Sequence, residues 1–156
     1  MISEKSDNVL AHLAKIEIGL SKVYEQFSKR TQFSNPVKKF WETIMHEEIA
    51  HSKIFEEVRE KARSEESFEI ETTIEIDHLK GFVDKVIGLL NEIKQKDISE
   101  SQAYTYGATI EGDLNEVNFI NDLKVNDNNI AKKVEFLKNT YNKHKVIMIN
   151  HAKGIK

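Results

Sequence analysis

The sequence contains no cysteine among its 156 residues, and this absence excludes several classes of site. Disulfides, thiol nucleophiles, iron-sulfur clusters and cysteine-ligated zinc or iron all require cysteine sulfur. Any metal site in this chain must therefore use oxygen and nitrogen ligands.

Proline and glycine are also scarce, with one proline and six glycines in the chain. Folds built mainly of β-strands need frequent turn residues, so this scarcity disfavours them and favours long helices. A length of 156 residues suits one domain and is short for two. We therefore expect a single all-α domain over residues 1–156.

Long apolar runs and a strong excess of one charge are absent as well. The longest segment without Asp, Glu, Lys or Arg has ten residues, Ser101 to Ile110, about half of a membrane span. The first residues lack the basic and apolar regions of a signal peptide. The net charge is −3, and no basic cluster is longer than a pair. These features predict a cytoplasmic protein that binds neither nucleic acid nor a membrane.

Helix start signals and apolar spacing predict four long helices, A to D, and one shorter helix between B and C. Helix A is expected to have Ser6 or Asp7 as its N-cap. At the start of helix B, Asn35 can act as the cap and Pro36 fits the first helical position. The expected ranges are about 6–30 for A, 35–63 for B, 77–96 for the shorter helix, 99–122 for C and 128–153 for D.

The long connection between helices B and C carries two further patterns. Residues 68–76 alternate apolar and polar side chains as a strand does, but no partner strand is evident. Ser99 and Gln102 have the spacing of a capping box at the start of helix C. The apolar faces of residues 68–76 and 77–96 either cover the helices or bind a second copy of the chain, so a homodimer is one hypothesis.

Each long helix carries a stripe of inward-facing positions at alternating steps of three and four residues, the pattern of helices packed with nearly parallel axes. Near its middle, each stripe is interrupted by ionisable residues. Buried carboxylates without partners are costly, and they take up a proton or bind a cation. We therefore predict a metal site, with a metal-free polar layer as the alternative. The interrupting residues are Glu17, Glu48, His51, Glu111 and His144.

These residues resemble the ligand set of the ferritin-like di-iron carboxylate proteins. In that family the first and third helices each supply a glutamate, and the second and fourth each supply Glu-x-x-His. Helix B reads HEEIAHSKIF and Tyr24 follows Glu17 by seven residues, which is most similar to the rubrerythrin-related branch. The resemblance covers about residues 6–153. It implies a ferritin-like up-down four-helix bundle whose long B-to-C crossover carries the extra short helix.

The fourth helix departs from the family pattern, because Tyr141 stands where the family has a glutamate before His144. Three glutamates and two divalent ions leave a charge of +1, which a bridging hydroxide, a Tyr141 phenolate or the loss of one metal would balance. Tyr141 is thus a ligand or a hydrogen-bonding partner of one. Asn118 stands where a second tyrosine is expected. We expect Tyr24 and Asn118 to lie around the ligands, although Tyr24 is equally well explained as an ordinary core residue.

The resemblance implies two iron ions, with a single ion as the alternative, and manganese and zinc accept the same ligands. Glu48 would bridge the ions, and the glutamates would act in catalysis through the metal. The protein would be an oxidoreductase that reduces peroxide or dioxygen with electrons from a separate donor protein, since a cysteine-free chain has no rubredoxin domain. The alternatives are a metal-binding protein without turnover and a metal-free interaction module. On the metal hypothesis, Glu48→Ala abolishes binding and Glu47→Ala does not.

Overall fold

The computed structural model describes residues 2–116 and 123–154, apart from the side chains of residues 114–116. The described part is mostly helical, which confirms the predicted all-α class. None of its helices has both the length and the apolar character needed to cross a membrane. The elements in chain order are α1 (Glu4–Ser28), α2 (Asn35–Ser64), β1 (Ile70–Glu71), α3 (Ile76–Gln95), α4 (Glu100–Glu116), β2 (Lys124–Val125) and α5 (Asn128–Ala152).

The five helices correspond to the predicted ones, but α1 begins earlier than expected, and residues 117–122 of predicted helix C lie outside the described residues. Its N-cap is Ser3, whose hydroxyl accepts a hydrogen bond from the Ser6 backbone N–H at 3.1 Å. The prediction that Ser6 or Asp7 caps the helix is therefore wrong. Asp7 instead pairs with Arg59 and Arg63 of α2, so its carboxylate ties α1 to α2.

The starts of α2 and α4 test two further predictions. Ser34 is the N-cap of α2 and makes no side-chain capping bond, so the prediction of Asn35 as the cap is wrong. Pro36 lies in the first turn, where its missing N–H leaves no hydrogen bond unmade. At the start of α4 the capping box is confirmed. The Ser99 N–H donates to Gln102 Oε1 at 2.8 Å, and the Gln102 N–H donates to Ser99 Oγ at 3.1 Å.

The predicted strand over residues 68–76 is mostly not a strand. Only β1 has strand geometry there, and it pairs antiparallel with β2, so the expectation that no partner exists is also wrong. The side chain of Asn126 bonds the backbone on the opposite side, accepting from the Glu69 N–H and donating to the Ser67 carbonyl. This clamp stabilises a pairing of only two residues, and from Ile76 onward the segment is helical.

A layer of aromatic rings joins the long helices beside the buried ionisable residues. The ring of Trp41 on α2 lies 5.2 Å from those of Tyr24 on α1 and Tyr104 on α4, measured between centroids. A Cβ atom at Gly107 of α4 would lie 2.8 Å from both the Trp41 ring and Met148 Sδ of α5. Glycine is needed here because the helices approach so closely. The ferritin-like connectivity of these helices stays a prediction.

Candidate metal centre

Five buried ionisable side chains from α1, α2, α4 and α5 meet in the interior. They are the predicted ligands, and none of them is more than 1% exposed. Their helices bring them together because each occupies the inward stripe of its helix. We call this set the candidate metal centre, and it consists of Glu17, Glu48, His51, Glu111 and His144.

The first group of side chains in this centre comes from α1 and α2. His51 Nδ1 lies 3.2 Å from Glu48 Oε2 and 3.7 Å from Glu17 Oε2. One ligand atom from each of the three residues lies within 4.8 Å of the other two. The first group can therefore point three donors at one ion.

The second group combines Glu48 with side chains of α4 and α5. His144 Nδ1 lies 2.9 Å from Glu48 Oε1 and 3.7 Å from Glu111 Oε1. These three residues also present ligand atoms within 4.8 Å of one another. Glu48 belongs to both groups and turns Oε2 toward His51 and Oε1 toward His144.

Several polar atoms of the centre are buried and make no hydrogen bond. They include both carboxylate oxygens of Glu17 and Glu111 Oε2. Glu48 Oε1 and His144 Nδ1 also make no hydrogen bond, although they lie 2.9 Å apart as an ion pair. A buried polar atom without a partner is unfavourable by about 1–3 kcal/mol, and more when it is charged. Carboxylate oxygens and imidazole nitrogens are the donors that divalent iron, manganese and zinc accept. The residues present therefore fit a metal ion.

The charges in the centre are strongly coupled. Burial, followed by repulsion from Glu48, raises the pKa of Glu17 well above its usual value, and the same two causes raise the pKa of Glu111. Burial also acts to raise the pKa of Glu48, but its contacts with Glu17 and the two histidines outweigh burial and lower it. Burial acts to lower the pKa of His144, yet Glu111 and Glu48 raise it to about 11. The centre thus holds positive charge, as protons or as a cation.

Tyr24 contacts a predicted ligand directly. Its hydroxyl donates a hydrogen bond to Glu111 Oε1 at 2.7 Å, and the residue is completely buried. Burial, together with the nearby carboxylates, raises the pKa of Tyr24, so the hydroxyl keeps its proton and remains a donor. The contact favours the interpretation of Tyr24 as a partner of the ligands over that of an ordinary core residue.

The ring of His51 is held by two aromatic side chains of α5. Tyr141 is buried, and its ring lies edge-on to His51 with a centroid distance of 5.9 Å. Phe136, which sequence reasoning missed, contacts the same ring at 6.2 Å and is 56% exposed. Coordination by Tyr141 stays a prediction. Asn118, the other residue expected around the ligands, lies outside the described residues.

Sequence reasoning also missed the contact made by Glu47. Its Oε2 lies 2.5 Å from His144 Nε2, on the side of the ring that faces away from Glu48. Glu47 is not on the inward stripe of α2, and the prediction from sequence is only that Glu47→Ala does not abolish metal binding. The contact exists because α5 packs against this side of α2, and nothing local in the sequence indicates it.

Comparisons with known proteins add no assignment to these observations. No family model matches the sequence, and the comparisons with curated proteins and with solved structures found no match. The functional interpretation therefore depends on the residues of the candidate metal centre and on their geometry.

Proposed function

We propose that this chain is a ferritin-like, rubrerythrin-related metalloprotein that holds two iron ions and reduces hydrogen peroxide or dioxygen. The observation that carries the proposal is the position of Glu48, which presents one carboxylate oxygen to each of two buried ligand groups. A carboxylate shared in this way is the arrangement that a two-metal site requires. The unpartnered buried oxygens of Glu17 and Glu111 support the same assignment.

The proposed ligand sets follow from the two groups. Glu17 and His51 would hold one ion, Glu111 and His144 would hold the other, and Glu48 would contact both. Bound iron would supply the reversible redox chemistry, with electrons returned by a separate donor protein. Reduction of one peroxide to two water molecules consumes two electrons and two protons.

The rest of the chain orients the ligands and excludes water. Tyr24 donates to Glu111 and fixes one of its oxygens, so that the other remains available. The aromatic ring of Trp41 packs against Tyr24, which keeps this donor in place. Complete burial of the five side chains strengthens every electrostatic interaction between them.

The test is anaerobic titration of the metal-free protein with ferrous iron, followed by mixing with peroxide. We expect two ions per chain and a rapid absorbance change as the ferrous ions are oxidised. In the same titration Glu48→Ala should bind no iron. Its matched control is Glu42→Ala, because Glu42 is an exposed glutamate on the same helix as Glu48. Absence of iron, manganese or zinc binding in a folded wild-type protein would overturn the proposal and leave the metal-free interaction module.

A second candidate is a metal-binding protein without turnover, and the residue that favours it is Tyr141. With tyrosine in place of a fourth glutamate, the described centre has three carboxylates for two ions. Its form with two divalent ions would therefore carry a net charge of +1. Such a centre would bind ferrous ions, but peroxide or dioxygen would oxidise these ions slowly. Stoichiometric iron binding without any response to peroxide or dioxygen would support this candidate and exclude the oxidoreductase.

A further inference from the structure

The imidazole of His144 is contacted at both of its nitrogens. Nδ1 faces Glu48 and Glu111 inside the centre, and Nε2 faces the Glu47 carboxylate at 2.5 Å. A neutral imidazole carries its proton on only one nitrogen, and a metal-binding nitrogen must be the unprotonated one. A carboxylate that accepts a hydrogen bond from Nε2 therefore leaves the Nδ1 lone pair free for a metal.

Glu47 can act in this way because it lies between solvent and the buried ring. Its side chain is 40% exposed, whereas that of His144 is 1% exposed. Both residues line a cleft of about 260 Å³ between α2 and α5, with Lys39 and Lys143 among its other lining residues. Truncation of Glu47 would thus leave a space that a small anion from solvent can enter.

We propose that Glu47 is a positioning residue, which holds the His144 ring with Nδ1 directed at Glu48 and Glu111 by accepting a hydrogen bond from Nε2. The inference rests on the proposed function, since it takes His144 as a metal ligand. It assigns a role to a residue outside both ligand groups. His51, in the other half of the centre, has edge-on contacts with the rings of Tyr141 and Phe136.

The experiment measures zinc binding to the full chain, because zinc accepts the same ligands without redox chemistry. Zinc affinity is measured by competition with a chromophoric chelator for wild type, Glu47→Ala, Glu47→Gln and the control Glu42→Ala. We expect Glu47→Ala to weaken binding of one of the two ions by about 10–100-fold. Glu47→Gln keeps an acceptor oxygen but loses the charge, so a loss of only about 3–10-fold is expected. Glu42→Ala should bind as wild type does.

Two readouts separate positioning from a merely structural role. Nitrogen-15 spectra of the zinc-loaded wild type should show His144 bound through Nδ1 and protonated at Nε2, and Glu47→Ala should lose this single state. Formate should enter the cleft left by Glu47→Ala and restore its zinc affinity, without effect on Glu42→Ala.

Each outcome decides between the proposals. If wild type binds two zinc ions and both Glu47 variants match it within about twofold, the positioning role is wrong and the metal-binding proposal stands. If folded wild type binds neither zinc nor ferrous iron, both proposals fall. If Glu47→Ala does not fold, Glu47→Gln alone decides, and an unchanged affinity with an unchanged His144 spectrum would overturn the positioning role.

Discussion

The two halves of the candidate metal centre are held in place by different kinds of contact. In the half formed by Glu17 and His51, the histidine contacts two aromatic rings of α5 edge-on. In the half formed by Glu111 and His144, each ligand has a polar partner, Tyr24 for the glutamate and Glu47 for the histidine. The polar contacts of His51 in the first half are thus with other ligands of the centre, whereas in the second half residues outside the ligand groups supply hydrogen bonds as well.

The two halves also differ in how far apart in the sequence their contacting residues lie. Glu48 and His51 lie three residues apart on one helix, so helix geometry alone directs them to the same place. The polar contacts of the second half join residues 87 and 97 positions apart. The second half therefore depends on how α4 and α5 pack against α1 and α2. Variants in the two halves should accordingly respond differently.

The largest effect is expected at the residue that both halves share. Glu48→Ala removes a donor from each ligand group and should abolish binding of both ions. Glu17→Ala removes a donor only from the first group and should leave one ion bound. Metal content after equilibrium dialysis measures both results. Equal loss in the two variants would show that the centre does not consist of two separable halves.

The residues of the centre could be predicted from sequence because helix periodicity encodes which side chains face inward. All five predicted ligands are buried, since each lies in phase with the apolar residues of its helix. Glu47 could not be found in this way, because its contact requires the packing of α5 over α2. The same reason applies to β2, which pairs with β1 through residues 53 and 55 positions apart in the chain, so that local sequence does not indicate the pairing.

The predicted N-cap of α1 is wrong because local propensity leaves two candidates and a contact with another helix distinguishes them. Ser3 and Ser6 are both good capping residues within one turn of each other, and propensity alone does not choose between them. Asp7 is drawn to Arg59 and Arg63, so the helix starts one turn earlier and leaves that carboxylate on its side. The arginines that decide this choice lie on another helix, and sequence reasoning about α1 does not include them.

A smaller effect is expected from the glycines that flank Glu111 in the second half. Gly107→Ala places a Cβ 2.8 Å from the Trp41 ring and from Met148, so the free energy of unfolding should fall by about 1–3 kcal/mol. The nearest contact of a Cβ at Gly112 is Lys145 Cε at 3.6 Å, an ordinary distance to a flexible side chain. Gly112→Ala should therefore raise the free energy of unfolding by about 0.5–1 kcal/mol, as alanine favours helix. Urea denaturation measures both changes, and an equal response at the two glycines would contradict this packing.

Removal of the Tyr24 hydroxyl should affect only the half that contains Glu111. Tyr24→Phe leaves Glu111 Oε1 without its donor, so we expect about tenfold weaker binding of one zinc ion and an unchanged affinity for the other. Tyr104→Phe is the matched control, since it alters the same aromatic layer on α4. Chelator competition distinguishes the two ions. Equal weakening of both ions would mean that Tyr24 acts on the whole centre.

The smallest effect is expected at the ion pairs of Asp7 with Arg59 and Arg63, which join α1 to α2, the helices that carry the first half. Hydrogen bonds from Arg59, supported by Arg63, lower the pKa of Asp7 from 3.8 to about 2. Because the folded pKa lies below the unfolded value, the carboxylate stabilises the fold above about pH 4, and this contribution is lost as the pH falls toward 2. Arg63 is half exposed and solvent screens the pair, so Asp7→Asn should lower the free energy of unfolding by about 1 kcal/mol at pH 7.

Urea denaturation at pH 7, 4 and 3 follows this contribution of Asp7. The difference between wild type and Asp7→Asn should narrow below pH 4, because Asp7 of the unfolded chain then takes up a proton while folded Asp7, with its pKa lowered to about 2, keeps its charge. Asp84→Asn, at an exposed position on α3, is the control and should show no such dependence. A difference that stays constant from pH 7 to pH 3 would mean that the Asp7 charge does not hold α1 against α2. The packing of α1 against α2 would then depend on their apolar contacts and on the contact between Glu17 and His51 inside the centre.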